Sequence, residues 1–223
     1  MTSDSGITIE RRRVKYARIC VRSDGTVRLI LPMRFPKAEI QGLMQRHSRW
    51  VQRQIDRLRD RKLSVHRLAD DEILLMGEPH RLLHAPGMSR GIAVDHKART
   101  ISSGQDLSEN GALAGWYRAE ARRVLTERLE HFASRHRFQY NRVSIRDQRT
   151  RWGSCSARKN ISLNWRLVQA PAAVIDYVIV HELVHIRHPN HSRAFWAGVE
   201  AILPGYRKAR QALKEFEPDR RYA

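Results

Sequence analysis

Two hydrophobic periods take turns along the chain. From Glu10 to Pro32 apolar and polar positions alternate, imperfectly, through Val14, Tyr16, Arg18, Cys20 and Arg22. Ser23-Asp24-Gly25-Thr26 is a turn signal, and Val27-Arg28-Leu29-Ile30-Leu31 reads as the returning strand of a hairpin. Residues 1–9 read as a short disordered lead. At Pro36 the spacing changes. Ile40, Leu43, Met44, His47, Trp50, Val51, Ile55 and Leu58 recur at helical intervals and predict a helix over 36–61. Its apolar stripe is expected to be core, with His47 packed on it, while Arg46, Arg49, Arg53, Arg57, Arg59 and Arg61 crowd the opposite face. Strand signals return over 72–103: residues 72–76 and 80–84 about a Gly77-Glu78-Pro79 turn, then short strands near 92–94 and 100–102. The stretch 102–111 is the most linker-like in the chain and sets the expected boundary. That gives a β-rich N-terminal region over 10–110, a second domain over 111–217 and a polar tail over 218–223.

Beyond the boundary, Leu113, Trp116, Tyr117, Val124, Leu125, Leu129 and Phe132 predict a long helix over 112–136. A short strand at 143–145 follows, then a hairpin of 151–156 and 160–165 around Ala157-Arg158-Lys159. Pro171 suits the first turn of a helix that carries Val174, Ile175, Val178, Ile179, Leu183 and Ile186, and Pro189-Asn190 stops it. Ser192 is an N-cap for a helix bearing Phe195, Trp196, Val199 and Ile202, ended by Pro204-Gly205; a last helix runs from about 206 to 216.

Chemistry concentrates on the helix after Pro171. His181 and His185 stand four apart, so both imidazoles project from one face and can grip one ion. Glu182 lies one step round, close enough to reach a water at that ion without being a ligand, and His191 follows in the turn. Reading these as polar residues on a solvated face fits poorly, because their neighbours are mostly Val, Ile and Leu. Burying two imidazoles and a carboxylate there is costly without a partner. Three neutral imidazoles would leave a divalent zinc its full charge and a fourth position for water, whose proton Glu182 would accept. His80, His84 and His96 lack ligand spacing and read as surface or strand histidines. Asp176 fits a cap, a partner to a ligand or a surface carboxylate equally well; Cys155 reads as a packed thiol.

Composition narrows the setting. A chain of 223 residues with 41% hydrophobic content can bury a core, and no apolar run reaches the length of a membrane span. The polar start lacks the apolar stretch of a secretory signal, and two cysteines, Cys20 and Cys155, make no disulfide framework, so the cytoplasm is the expected location. The 42 Lys and Arg against 23 Asp and Glu give a formal charge of +19, which attracts polyanions, nucleic acid first among them. These cations are spread widely, and the Arg11-Arg12-Arg13 run reads as a solvated strand edge.

Together, Arg151-Trp152-Gly153-Ser154-Cys155-Ser156, Asn160-Ile161-Ser162-Leu163-Asn164, the helix 175–185, Asn190-His191-Ser192 and Phe195-Trp196 resemble the YgjP-like metallopeptidases, relatives of the SprT-like and WLM zincin domains. These motifs cover about residues 140–205, with a looser match over the β-rich part. The resemblance implies an α+β fold: a zincin-like metallopeptidase domain of backing helix, small sheet and metal-binding helix, preceded by a β-rich region with one long helix. It implies one zinc ion on His181, His185 and His191, Glu182 as the catalytic carboxylate, and peptide or protein substrates. The spacing equals that of metzincins, but His188 stands where those carry Gly, and no Met-turn signature follows. In a zincin-like arrangement the strand 161–165 would be the edge that pairs with an extended peptide, with Asn164 and Trp165 near the cleft rim; an ordinary core hairpin is the alternative. Arg151 and His188 are candidates for a second oxyanion donor. Two other functions stay open: a protease directed to DNA-bound proteins by its basic N-terminal part, and a non-catalytic binding module in which zinc staples the fold.

Overall fold

The computed structural model describes residues 7–22, 24–64, 68–88, 91–107, 111–219 and 221, the side chains of 57–64 excepted. Most of the expected lead, part of the linker-like stretch and half of the tail lie outside the described residues. The chain divides into two compact units, Met1–Arg67 and Leu68–Ala223.

The first unit is a three-stranded sheet and one helix. Strands β1 (Ile7–Arg12), β2 (Arg18–Val21) and β3 (Val27–Pro32) lie in the order β1-β3-β2. The expected hairpin is β2–β3, antiparallel from Arg18↔Ile30 to Val21↔Val27. At its turn the Asp24 carboxylate accepts from the backbone N–H and hydroxyl of Thr26, and Gly25 adopts φ 88°. Residues 7–9, expected in a disordered lead, instead begin β1. Ile7 and Ile9 register against Val27 and Leu29 in a parallel pairing that no local pattern announces. Arg11 does more than face water: its guanidinium donates to the carbonyls of Met33 and Phe35, both at 2.9 Å, fixing the bend after β3.

Helix α1 (Ala38–Ser64) is 27 residues long. Its apolar stripe is only partly core. Val51 is buried and Ile40, Leu43, Met44 and Ile55 are half-buried, but His47 is exposed and Trp50 is 39% exposed. The reason is size: such a helix spans ~40 Å, whereas six-residue strands span ~20 Å, so the sheet of this unit is too short to cover the stripe.

The second unit opens with β4 (Glu72–Leu75) and β5 (Glu78–His84), joined by a two-residue turn with φ 51° at Met76 and 84° at Gly77. Both positive values match the right-handed twist of a hairpin. With β6 (Ile92–Asp95) and β7 (Thr100–Ser103) they form a sheet in the order β4-β5-β7-β6. Helix α2 (Ala112–Arg135) follows, then β8 (Arg142–Arg146), β9 (Gly153–Cys155) and β10 (Asn160–Asn164) in the order β8-β10-β9. A 3₁₀ turn, Trp165–Gln169, leads into α3 (Ala172–Val184), α4 (Arg193–Ile202) and α5 (Tyr206–Glu215).

One core joins these elements. Ile73, Leu75 and Ile101 of the first sheet share it with Tyr117, Leu125 and Leu129 of α2, Ile161 and Leu163 of β10, and Val174, Ile175, Val178 and Ile179 of α3. The unit boundary therefore falls before β4, earlier than the linker-like stretch. Backbone N–H groups of Met76 and Gly77 donate to the carbonyls of Val168 and Gln169 at 2.8 and 3.0 Å, and Tyr117 donates its hydroxyl to the Leu74 carbonyl at 2.6 Å. A side chain at Gly77 would place its Cβ 2.7 Å from Pro171, so glycine is needed for the turn to dock at the start of α3.

Helix α3 is apolar nearly all round, the pattern of a helix enclosed on every side. Its polar anchor is Asp176, whose carboxylate accepts both guanidinium hydrogen bonds of Arg128 on α2 at 2.6 and 2.7 Å. The helix ends at Val184, before the expected stop at Pro189-Asn190, with His185 as its C-cap.

Candidate metal centre

The H-E-x-x-H segment closes α3, and the chain then turns back through residues 185–192 to the start of α4. Ser192 caps α4, accepting from the Phe195 N–H at 3.3 Å. This reversal returns His191 to the helix face that carries His181 and His185. One ligand atom from each of the three lies within 4.8 Å of the others, and the Nε2 atoms of His181 and His191 are 3.0 Å apart. Phe195, fully buried, forms a floor: its ring centre is 4.9, 4.5 and 4.8 Å from those of His181, His185 and His191.

Tautomers follow from the surroundings. The Nδ1 of His185 lies 3.1 Å from the His188 carbonyl, so the donor role falls to Nδ1 and Nε2 keeps its lone pair. Burial, then the neighbouring imidazoles of His185 and His191 and the charge of Arg210, hold His181 down to about 3. Burial also lowers His185, opposed in part by the bond to His188. Both rings are therefore neutral near pH 7, the state a metal requires. Two imidazole Nε2 atoms at 3.0 Å with a third ring beside them form a set of lone pairs that a cation satisfies. Among the described residues no other group of three His, Cys, Asp or Glu side chains is placed to hold a metal ion.

Glu182 is buried at 6% exposure, and burial pushes its carboxyl up to about 7 against the opposing effects of the Cys155 backbone N–H and of Arg151. The carboxylate lies directly on the backbone of β9. A Cβ built on Gly153 would stand 2.7 Å from Glu182 Cγ and 2.8 Å from its Oε1. Glycine in the Arg151-Trp152-Gly153-Ser154-Cys155-Ser156 run thus leaves the room that the carboxylate occupies.

The remaining sequence candidates separate. Arg151 is exposed and acts electrostatically on Glu182, so it sits by the site. His188 contributes its carbonyl, while its ring lies beside Gly198 of α4. Asn164 and Trp165 are buried at 4% and 2% exposure and are not at a rim. The strand that carries Asn164 is not an edge either: β10 pairs with β8 on one side and β9 on the other. The Asn164 amide instead donates to the carbonyls of Gln148 and Arg151 at 2.7 and 3.1 Å, pinning the loop before β9. The Cys155 thiol is free, half-buried and raised by burial, so it stays protonated. His80 is a buried strand histidine, edge-on to His96 at 5.7 Å. Sequence reasoning did not single out Arg210, whose charge reaches His181, because nothing local distinguishes it on the polar helix α5.

The YgjP-like metallopeptidase domain matches residues 15–216. The chain belongs to the YgjP-like family. It is accordingly a metallopeptidase, a hydrolase that uses a metal ion on peptide or protein substrates, and its mixed α+β architecture agrees. No curated protein matches the chain. Among solved structures it is similar to the metallopeptidase zymogen of Pyrococcus abyssi abylysin, with 27% identity, 40% of this chain and 87% of that one covered, and a TM-score of 0.35. The zymogen of Methanocaldococcus jannaschii jannalysin gives 19% identity, 40% and 91% coverage, and a TM-score of 0.36. Among the described residues of this YgjP-like chain, no helix is long and apolar enough to cross a membrane.

Proposed function

We propose that the chain is a cytoplasmic zinc-dependent peptidase. His181, His185 and His191 hold one zinc ion, and Glu182 is the general base. The convergence of three imidazoles beside a buried carboxylate carries this reading. The Nε2 atoms of His181 and His191 are 3.0 Å apart and all three donors lie within 4.8 Å of one another, so these residues would hold a single ion between them. Bound there, zinc supplies a Lewis acid that acidifies water and polarises a peptide carbonyl.

Glu182 accepts the proton of the attacking water and delivers it to the departing amine. The Cys155 N–H and the bare backbone of Gly153 hold the carboxylate in one place. Strand β9 pairs with β10 along one edge and has no strand on the other among the described residues, so it is the edge on which an extended peptide adds. Arg151, on the loop leading into β9, is the candidate oxyanion contact.

The stapling alternative calls for a fourth protein ligand, with cysteine prominent. No such group joins the three imidazoles among the described residues. The exposed Arg46, Arg49 and Arg53 on α1 favour a second property, nucleic-acid contact by the first unit, tested by duplex binding that weakens steeply with salt. The peptidase reading is tested by metal analysis and cleavage of a denatured protein by wild type and Glu182→Gln. It expects full metal in both and turnover only in wild type; unchanged cleavage by the variant contradicts it.

A further inference from the structure

Helix α5 brings one cation to the metal site that the hydrolytic machinery does not use. The guanidinium carbon of Arg210 lies 4.5 Å from the centre of the Trp196 ring. Trp196 stacks on His191, with centres 5.6 Å apart and planes at 21°, and lies 5.9 Å from His181. Tyr206 stacks on Trp196 in turn, at 5.5 Å and 11°, so the indole is held rigidly. A single aromatic ring therefore separates Arg210 from two of the three imidazoles.

Arg210 is exposed, and no carboxylate lies within ion-pair distance of it among the described residues. Arg128, Arg123 and Arg166 of this unit are matched by Asp176, Glu120 and Asp147, while Arg207 on the same helix, like Arg210, has no carboxylate within ion-pair distance among the described residues; what sets Arg210 apart is its place on Trp196, beside the imidazoles. Its field also reaches Tyr177, one turn before His181. An unmatched cation beside a site built for a metal dication adds like charge to like charge. The contact with Trp196 fixes where that cation stands but leaves its charge uncancelled and its N–H donors available. A planar fork held in place on an aromatic ring is suited to a carboxylate.

We infer that Arg210, seated on Trp196, binds a carboxylate of the peptide substrate. This rests on the peptidase reading and adds to it the class of substrate. The carboxylate is supplied by an Asp or Glu side chain or by the peptide C-terminus.

The test measures binding rather than turnover. Zinc-loaded Glu182→Gln protein is titrated, by fluorescence anisotropy, with short labelled peptides of randomised composition. These are made with Glu or with Gln at the varied acidic positions, and each with a free or an amidated C-terminus. The expected result is binding of one carboxylate form about five- to tenfold tighter than its neutral counterpart, weakening with salt. Adding Arg210→Gln removes that gap and leaves the neutral peptides within about twofold, while Arg210→Lys keeps part of it. A gap that follows Glu against Gln supports the side-chain source; one that follows amidation supports the C-terminal source. A gap that survives Arg210→Gln, an equal loss for all peptides, or no preference in the parent overturns the inference. Turnover by the Glu182 protein is read separately: its absence removes the peptidase reading, while the binding comparison still decides the role of Arg210.

Discussion

Replacing Gly153 by alanine tests how the general base is held. The added Cβ would stand 2.7 Å from Glu182 Cγ, 2.8 Å from Oε1 and 3.0 Å from Cδ. Carbon atoms rest about 3.5–4.0 Å apart, so the carboxylate or β9 has to yield by roughly 0.8 Å or more. The Glu182 side chain is the softer partner, since the backbone of β9 is paired to β10 through Leu163↔Gly153, Ser162↔Ser154 and Ile161↔Cys155. Misplacement of a catalytic group by about 1 Å costs on the order of 10²-fold in rate. The three atoms nearest the added Cβ all belong to Glu182 and the three imidazoles stand on Phe195, so metal affinity is expected to stay within about twofold. Steady-state cleavage of a denatured protein, zinc content and thermal melting are measured on the same preparations. The expected outcome is kcat down by about 10²-fold with KM, zinc content and Tm little changed. Wild-type kcat in a folded, metal-loaded Gly153→Ala protein would refute the placement of Glu182 against β9.

Three further outcomes follow from the same contacts. In metal-free protein, burial raises the Glu182 carboxyl from 4.5 to about 7, so the native state holds its proton more tightly than the unfolded chain. Stability is therefore lost as pH rises from about 4.5 through 7, by about 3 kcal/mol in all. Urea denaturation at pH 5 and pH 8 should show Glu182→Gln gaining most of that on wild type at the higher pH; an equal difference at both pH values contradicts it. Gln169 is fully buried and accepts from the Asp219 backbone N–H at 2.7 Å, so Gln169→Ala should lower stability by about 1–3 kcal/mol in chemical denaturation. Asp176→Ala leaves Arg128 unpaired between α2 and α3 and should cost about 1–2 kcal/mol without changing zinc stoichiometry; loss of metal in that variant would instead tie Asp176 to the ligands.

What the sequence disclosed was local, and what it hid was pairing at a distance. His181, Glu182 and His185 were legible because four-residue spacing on a helix fixes a shared face, and His191 because a proline turn with a Ser192 cap forces the chain back. The hairpins 18–32 and 72–84 were legible from turn residues such as Gly25 and Gly77, whose positive φ only glycine adopts freely. Of the two readings of Asn164 and Trp165, the structure takes the core hairpin and not the rim; local pattern does not decide between them because edge position depends on β8, more than a dozen residues upstream and parallel. The same non-local pairing concealed the start of β1, whose partner β3 lies across an intervening strand. On α1 the helical spacing was right, but periodicity states which face is apolar and not how much sheet is present to cover it; exposed His47 and Trp50 show the shortfall. Asp176, left with three readings, has its partner on another helix. The room beside Gly153 and the stack of Arg210 on Trp196 likewise come from packing between elements.

The central claim is that three imidazoles, and no thiolate, hold the metal. X-ray absorption at the zinc edge, on protein loaded with one equivalent of zinc, reads those ligands directly. The expected spectrum has three imidazole nitrogens and one further light atom at about 2.0–2.1 Å. A sulfur scatterer at about 2.3 Å, which would bring in Cys155, or a shell with fewer than three imidazoles contradicts it.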